Sequence, residues 1–496
     1  MSSIDCDVLV IGGGINGTGI ARDAAGRGLS VVLCEQDDLG AHTSSASSKL
    51  IHGGLRYLQH YEFGLVRKAL REREVLMRCA PHLIRPLRFV MPHMPGLRPA
   101  WMLRCGLFLY DHLARRELLA GSRQVALPPH PAGAALRPGI ARAFLYSDAA
   151  VDDARLVVVN AIDAQERGAR ILTRTRCESM VAEGRLWRAS LRQADNTLIG
   201  VRARSVVNAG GAWAARLHGP QKRTLRLIKG SHIVVRKLFD HEHAYIFQHA
   251  DGRVVFALPF EDDFTLIGTT DVEFDGDPRH VAVSAAEIDY LCQLSNTYFR
   301  TQIGPDDVAW SYAGVRPLVD DGSGAAQAVT RDYQLVSENT SAPLLSVFGG
   351  KITTFRVLAE DALDELGKMI DVPGGAWTAR SCLPGGDLPG SAHGRGNFVA
   401  SAQARYDWLP AALARRLALA YGTRMHRLLA GCDRIEDMGK PLMAGLYERE
   451  LHYLADVEWA RSAEDVLWRR TKLGLRATPA EVDGLACWMQ TKGAAP

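Results

Sequence analysis

Apolar positions near the N-terminus come in short, β-branched runs. Val8-Leu9-Val10-Ile11 breaks off onto glycines, Ala21–Arg27 has the composition of a helix stopped by Gly28, and Ser30–Cys34 is apolar again. That order predicts strand, helix and strand, a βαβ unit within a parallel sheet. Between about residues 60 and 145 the pattern changes to basic amphipathic stretches broken by prolines. A second α/β signature spans 203–215, strands and turns continue over 225–335, and a third strand–turn–helix is expected over Leu344–Leu366. The Pro-, Gly- and Ser-rich run over 384–397 reads as a linker. Beyond it Ala, Leu and Arg recur at helical spacing, which predicts a helical domain over 398–496 after a main region over 1–383.

Composition narrows the class. With 496 residues, 47% hydrophobic and 23% charged, the chain reads as an ordinary globular protein of two or three domains, neither disordered nor fibrous. Its 59 Lys and Arg against 55 Asp and Glu leave a net charge of +4, so nucleic-acid binding is not expected. Nine cysteines without a CxxC pair argue against a zinc site and a disulfide framework; no metal is expected, and reduced thiols of a cytosolic compartment are. Met1–Asp7 carries two acids and no basic residue, unlike a signal peptide. No stretch approaches the roughly 18 uncharged apolar residues of a membrane span, although lying on a membrane stays open.

Gly12-Gly13-Gly14-Ile15-Asn16-Gly17 fits the GxGxxG pattern, with Gly12, Gly14 and Gly17 as its three glycines. The first permits a tight turn, the second lets backbone approach a pyrophosphate, and the third lets helix and strand pack closely. Glu35, followed by Gln36, ends the second strand, where an acid can accept hydrogen bonds from an adenosine ribose. This signals an ADP moiety and does not by itself separate NAD from FAD. The stretch from Thr43 and Ser44 through Ser47, Ser48, Lys49 and Leu50 to His52 and Arg56-Tyr57 points to FAD. Its hydroxyls and small residues can hold a second phosphate and a ribityl chain, where an NAD domain would run into further βα units.

The same runs, GGGINGTGIARDAAGRGLSVVLCEQDDL and TSSASSKLIHGGLRYLQHYEFGLV, resemble the bacterial aerobic glycerol-3-phosphate dehydrogenases, which are FAD-dependent and quinone-linked. So do RPAWMLRCGLFLYDHL, YSDAAVDDARLV, RLIKGSHIVV, LIGTTDVE, YAGVRPL, TRDY, SVFGGKITTFR and VEWARSAEDVLWRRTKLG, and the resemblance extends over essentially the whole chain. The resemblance implies an α/β flavoprotein of the D-amino-acid-oxidase type. Its FAD-binding Rossmann-like parts would lie near 5–60, 150–215 and 336–368, and an interleaved α+β substrate domain near 61–149 and 216–335, with a C-terminal helical domain. It implies substrate contacts at Arg56, His232, Thr270, Arg316, Arg331 and Lys351, with Tyr57 either among them or simply core. It also implies FAD contacts at the Cys177 backbone, at Ala209 and Gly210, and at Lys351, Ile352 and Thr353.

Oxidising a secondary alcohol with a flavin needs a base for the hydroxyl proton and positive charge for the reduced ring, and a phosphorylated substrate adds a need for cations. His52, inside the flavin loop, and His232, read as beginning the strand Ile233-Val234-Val235, compete for the base, and the sequence leaves both open. Arg316, between Gly-Val and a proline, reads as an electrostatic clamp, because its pKa is too high for a base. Lys351 precedes a helix expected from Thr353, whose N-terminus adds partial positive charge.

The implied activity is oxidation of sn-glycerol 3-phosphate to dihydroxyacetone phosphate, with electrons passed to a ubiquinone-type acceptor. The alternative is a glycerol-3-phosphate oxidase that makes hydrogen peroxide. An amine oxidase is disfavoured by the number of cations, and a flavin carrier without turnover by the acid–base candidates. The stretch Leu97–Tyr110, apolar, aromatic and rimmed by arginine, suits a helix in a membrane interface, as does Arg67–Leu87 less sharply. With the resemblance, this implies a peripheral protein on the cytoplasmic face of the inner membrane. The C-terminal domain is open to two roles, homodimer contact or cover for the core, and its pairs Arg415-Arg416 and Arg469-Arg470 read as solvated faces.

Overall fold

The computed structural model describes residues 3–94, 98–217, 225–248, 253–319, 332–339, 341–389 and 394–492. One sheet carries the strands Gln334–Glu338, Leu344–Phe348, Leu198–Asn208, Ser3–Ile11, Val31–Cys34 and Arg170–Leu172 in that spatial order. Ser3–Ile11 runs parallel to both neighbours, with Ile11 level with Cys34 on one side and Asn208 on the other. Asn208 stands level with Ser346. The carboxyl ends of four parallel strands therefore open on one edge, where open α/β sheets place their ligands. Helices Ile15–Gly26, Asp153–Glu166 and Phe355–Leu366 pack together over one face and explain the unbroken apolar runs of the strands beneath.

The first strand starts at Ser3, earlier than its apolar run, because its acids find partners across the ladder. Asp5 accepts from Arg202 Nε at 2.8 Å and Asp7 from Arg204 at 2.9 Å. The 3₁₀ turn Ile352–Thr354 precedes the helix Phe355–Leu366, which thus begins later than Thr353.

The second sheet is mostly antiparallel and holds Leu225–Arg236 between Val308–Val319 and Phe264–Gly268, followed by Val254–Phe260, Ala244–Gln248, Ile84–His93 and Arg142–Val151. His232 lies inside Leu225–Arg236 and does not begin a strand. The polar residues before it are tolerated because they are paired, Lys229 with Glu287 at 2.7 Å and Arg226 with Glu273.

The C-terminal residues build helices Gly394–Arg405, Ala411–Tyr421, Glu448–Val457 and Pro479–Lys492 round a core of their own, with a short ribbon of Pro441–Met443 and Leu446–Tyr447. The first of these helices begins at Gly394, within the span read as linker. The chain before it is docked, since Leu383 N–H donates to Cys79 O at 2.8 Å and Thr423 N–H to Gly385 O at 3.2 Å. Arg469 and Arg470 do not form a solvated face. Both are buried and both reach Asp38, at 2.7 and 2.8 Å, because a buried cation persists only where carboxylates meet it. Arg155 with Glu458, Arg174 with Asp465 at 2.7 Å, and Lys472 with Asp152 at 3.3 Å extend this seam between the C-terminal domain and the first sheet. Arg416 pairs with Glu450 at 2.5 Å, while exposed Arg415 meets Asp262.

Candidate active site

At the carboxyl edge of the first sheet lies a cavity of about 210 Å³. Gly12, Gly14, Glu35, Gln36, Thr43, Ser44, Cys177, Ala209 and Gly210 line it, all marked by sequence. Gly12 holds φ +114°, and a Cβ there would press on the Ala209 carbonyl. At Gly17 a Cβ would overlap the Gly12 carbonyl oxygen, so only glycine lets the first helix start so close to the strand. Glu35 accepts the Gly13 N–H at 2.6 Å and the Asp37 N–H at 2.9 Å. Burial pushes its carboxyl up, and these two amides oppose the rise. The Cys177 thiol is also pushed up by burial, to about 11, and points to the Ser179 carbonyl. A long cavity at a helix N-terminus, flanked by a buried carboxylate and cradled by glycines, fits an adenine dinucleotide.

Other residues of the cofactor set act behind the surface. Ile15 N–H donates to Ser44 Oγ at 3.0 Å, and Asn16 Nδ2 to the Gly349 carbonyl at 3.2 Å, joining the first helix to the turn before Lys351. Ser47 Oγ and Lys49 Nζ both donate to Asp153, at 2.7 and 2.8 Å, which turns their side chains towards the helix Asp153–Glu166. Lys49 is held at φ +56°, and Leu50 pairs with Ala150 in the second sheet. Thr353 Oγ1 accepts from His52 N–H at 3.2 Å, and Ile352 belongs to the same turn. Sequence reasoning missed Thr175, Arg176, Trp213, Arg216 and Arg279, which belong to the rest of the lining, as does His42. Thr175 and Arg176 share the strand of Cys177, and Trp213 and Arg216 follow Gly210 in the turn Gly211–Arg216, whereas Arg279 comes from a distant segment with no motif of its own.

Beyond the loop 43–50 the second sheet presents His232, Thr270 and Arg316. His232 is buried, its Nε2 2.9 Å from Ser48 Oγ and its ring stacked on Tyr312 at 4.8 Å. Its Nδ1 is buried without a hydrogen-bond partner among the described residues. Burial, with the charges of Lys49 and Arg316, pushes the imidazole down to about 3, so the ring is neutral at working pH. Opposite it Gly268 leaves room that a Cβ would fill, and Phe256, paired with Gly268, meets the His52 ring edge-on at 6.4 Å. The two histidines thus flank one strand position.

Arg316 is half-buried, donates to the Thr270 carbonyl at 3.3 Å and pairs with Asp271. Thr270 offers that carbonyl and not its hydroxyl. The hydroxyl donates inward to Glu287 at 2.9 Å and accepts the Ser231 N–H at 3.0 Å. Glu287 resists the rise that burial would cause, held down to about 2 by Lys229, Ser284 and Ser231. Lys351 stands with its Nζ 3.8 Å from the centre of the Tyr57 ring, and half-buried Arg56 precedes Tyr57 in the turn Leu55–His60. Arg331 lies outside the described residues.

Residues 7–356 match the FAD dependent oxidoreductase family, and 377–489 match the C-terminal domain of alpha-glycerophosphate oxidase. The chain is 54% identical to a glycerol-3-phosphate dehydrogenase of Pseudomonas aeruginosa, over 98% of this chain and 95% of the relative. It is 48% identical to a D-erythritol 1-phosphate dehydrogenase of Brucella abortus, over 97% of each. A glycerol-3-phosphate dehydrogenase structure from Bacillus halodurans, complexed with FAD, superposes with a TM-score of 0.77 at 28% identity, over 98% of this chain and 90% of that one.

Proposed function

Since the chain belongs to the FAD-dependent glycerol-3-phosphate dehydrogenase family, we propose that it oxidises sn-glycerol 3-phosphate to dihydroxyacetone phosphate and passes the electrons to a ubiquinone-type acceptor. Bound FAD supplies the hydride acceptor. The observation that carries the catalytic assignment is His232, a buried imidazole whose Nδ1 has no hydrogen-bond partner among the described residues. A buried polar atom left unpaired costs roughly 1–3 kcal/mol, a cost that a function explains. With Nε2–H donating to Ser48 Oγ, Nδ1 keeps a lone pair to take the proton of the substrate's hydroxyl. His52, fixed through its backbone by Thr353, lies across the strand position and holds the substrate from the other side. Arg316 and Lys351, with Arg56 and Arg331, supply cations for the phosphate, and Asp271 and Thr270 aim the Arg316 fork.

Peripheral attachment to the cytoplasmic face of a membrane has support in the helix Ala100–His112. Leu107 and Tyr110 face the core, while Trp101, 66% exposed, and Phe108, 59% exposed, face outward with Met102 and Leu109. Exposed Tyr61 and Phe63 follow the turn Leu55–His60, which packs against this helix, and Arg104 lies within the helix with Arg115 just beyond it. An outward apolar face rimmed by arginine suits a lipid interface. Among the described residues no helix is long and apolar enough to cross a membrane.

The test is anaerobic. Glycerol 3-phosphate is expected to bleach the bound flavin faster than D-erythritol 1-phosphate does, and a ubiquinone analogue to restore the colour faster than oxygen. Faster bleaching by the four-carbon phosphate would transfer the assignment to that substrate, and fastest recovery with oxygen would make the protein an oxidase.

A further inference from the structure

Four rings run from the C-terminal domain to the active site. Trp468 lies on Trp310, with centroids 4.4 Å apart and planes 17° from parallel. Trp310 leans on Tyr312 at 4.8 Å, on the same face of the strand Val308–Val319. Tyr312 stacks on His232 at 4.8 Å, directly across the ladder, and its hydroxyl donates to the Ser47 carbonyl at 2.8 Å. Both ends of the stack are fixed. Arg469 and Arg470, next to Trp468, are pinned to Asp38, and Gly474 lies so close that a Cβ would come within 2.6 Å of the Trp468 ring. At the far end His232 meets Ser48. Trp468, Trp310 and Tyr312 are half-buried, and each ring rests on the next, so removing one takes away the support of its neighbour.

We propose that Trp468 is a positioning residue for the active site, setting the place of the His232 ring through Trp310 and Tyr312. The C-terminal domain then does more than cover the core, since it supplies the fixed end of the stack. The kinetic part of this inference rests on the function proposed above, whereas the placement of the ring does not.

Histidine-labelled holoenzyme separates the two. The ¹³Cε1 resonance of His232 is identified by its loss in His232→Gln. Trp468→Ala is expected to move that resonance and to slow flavin reduction at saturating glycerol 3-phosphate by about tenfold or more, with flavin content unchanged, because misplaced reacting groups lose rate and not binding. Trp468→Phe, which keeps a ring in the stack, should recover both. Met489→Ala, in the C-terminal core but outside the stack, should lower thermal stability and move neither. An unmoved His232 resonance in Trp468→Ala, or an equal shift in Met489→Ala, overturns the proposal. A wild-type flavin that glycerol 3-phosphate fails to bleach overturns the substrate assignment instead, and the resonance still decides the role of Trp468.

Discussion

Along the carboxyl ends of the parallel strands a cradle of glycines and alanine shapes the site, whereas across the loop 43–50 side chains from an antiparallel sheet shape it. Gly12, Gly14, Ala209 and Gly210 shape the first region by what they lack. His232 and Arg316 shape the second by what they carry, each held by partners from other segments, while Lys351 stands just past the end of the parallel strand Leu344–Phe348. A region built from backbone tolerates no added atom but is indifferent to side-chain chemistry. The opposite holds for one built from side chains.

Substitution at Gly17 tests that contrast most severely. Gly17→Ala forces its methyl into the Gly12 carbonyl, and should cost about 3 kcal/mol and leave the purified protein without flavin absorbance. Yellow protein of wild-type melting temperature would break the backbone account. On the other side, His232→Gln should keep its flavin and lose about 10²- to 10⁴-fold in the rate of flavin reduction, read by stopped flow. Flavin loss in that variant would erase the distinction between the two regions.

Acid provides a third probe. Burial pushes His82 down to about 3, with Arg155 and Arg395 adding repulsion, and His232 stands equally low. Unfolded, each imidazole protonates near pH 6.5, so below that pH the unfolded chain binds more protons than the native one. Stability therefore falls as pH drops from about 6.5 towards 3, by up to about 1.4 kcal/mol per pH unit for each histidine. His82→Leu, remote from the site, should flatten that slope in urea titrations while activity persists, and an unchanged slope would remove His82 from the account. Smallest of all, Cys177→Ser should leave FAD affinity unaltered in fluorescence titration, because the thiol points to the Ser179 carbonyl. A clear drop would give its side chain a role.

What the sequence made legible follows the same division. The fingerprint, Glu35 and the strand ends around them are local, so spacing alone located them, and the resemblance located Ala209, Gly210 and Cys177. Arg279 reaches the cavity from a remote segment, and nothing beside it in sequence marks the approach. Thr270 shows a further limit. Its position was legible, but the inward turn of its hydroxyl depends on Glu287, which the helix Ala285–Tyr298 brings beneath the sheet. Arg469-Arg470 resembles any surface pair until Asp38 is placed opposite. Charge patterns report burial only when the partner is near in sequence.

The pairing of Asp38 and Asp152 with Arg469, Arg470 and Lys472 also bears on how the protein matures in the cell. A ribosome makes the fingerprint first and these cations near the end. Until they emerge, Asp38, two residues past Gln36 of the cavity wall, lacks its counter-ions. A chain that stops before Arg469 is therefore expected to fold its nucleotide-binding region less stably than the full chain.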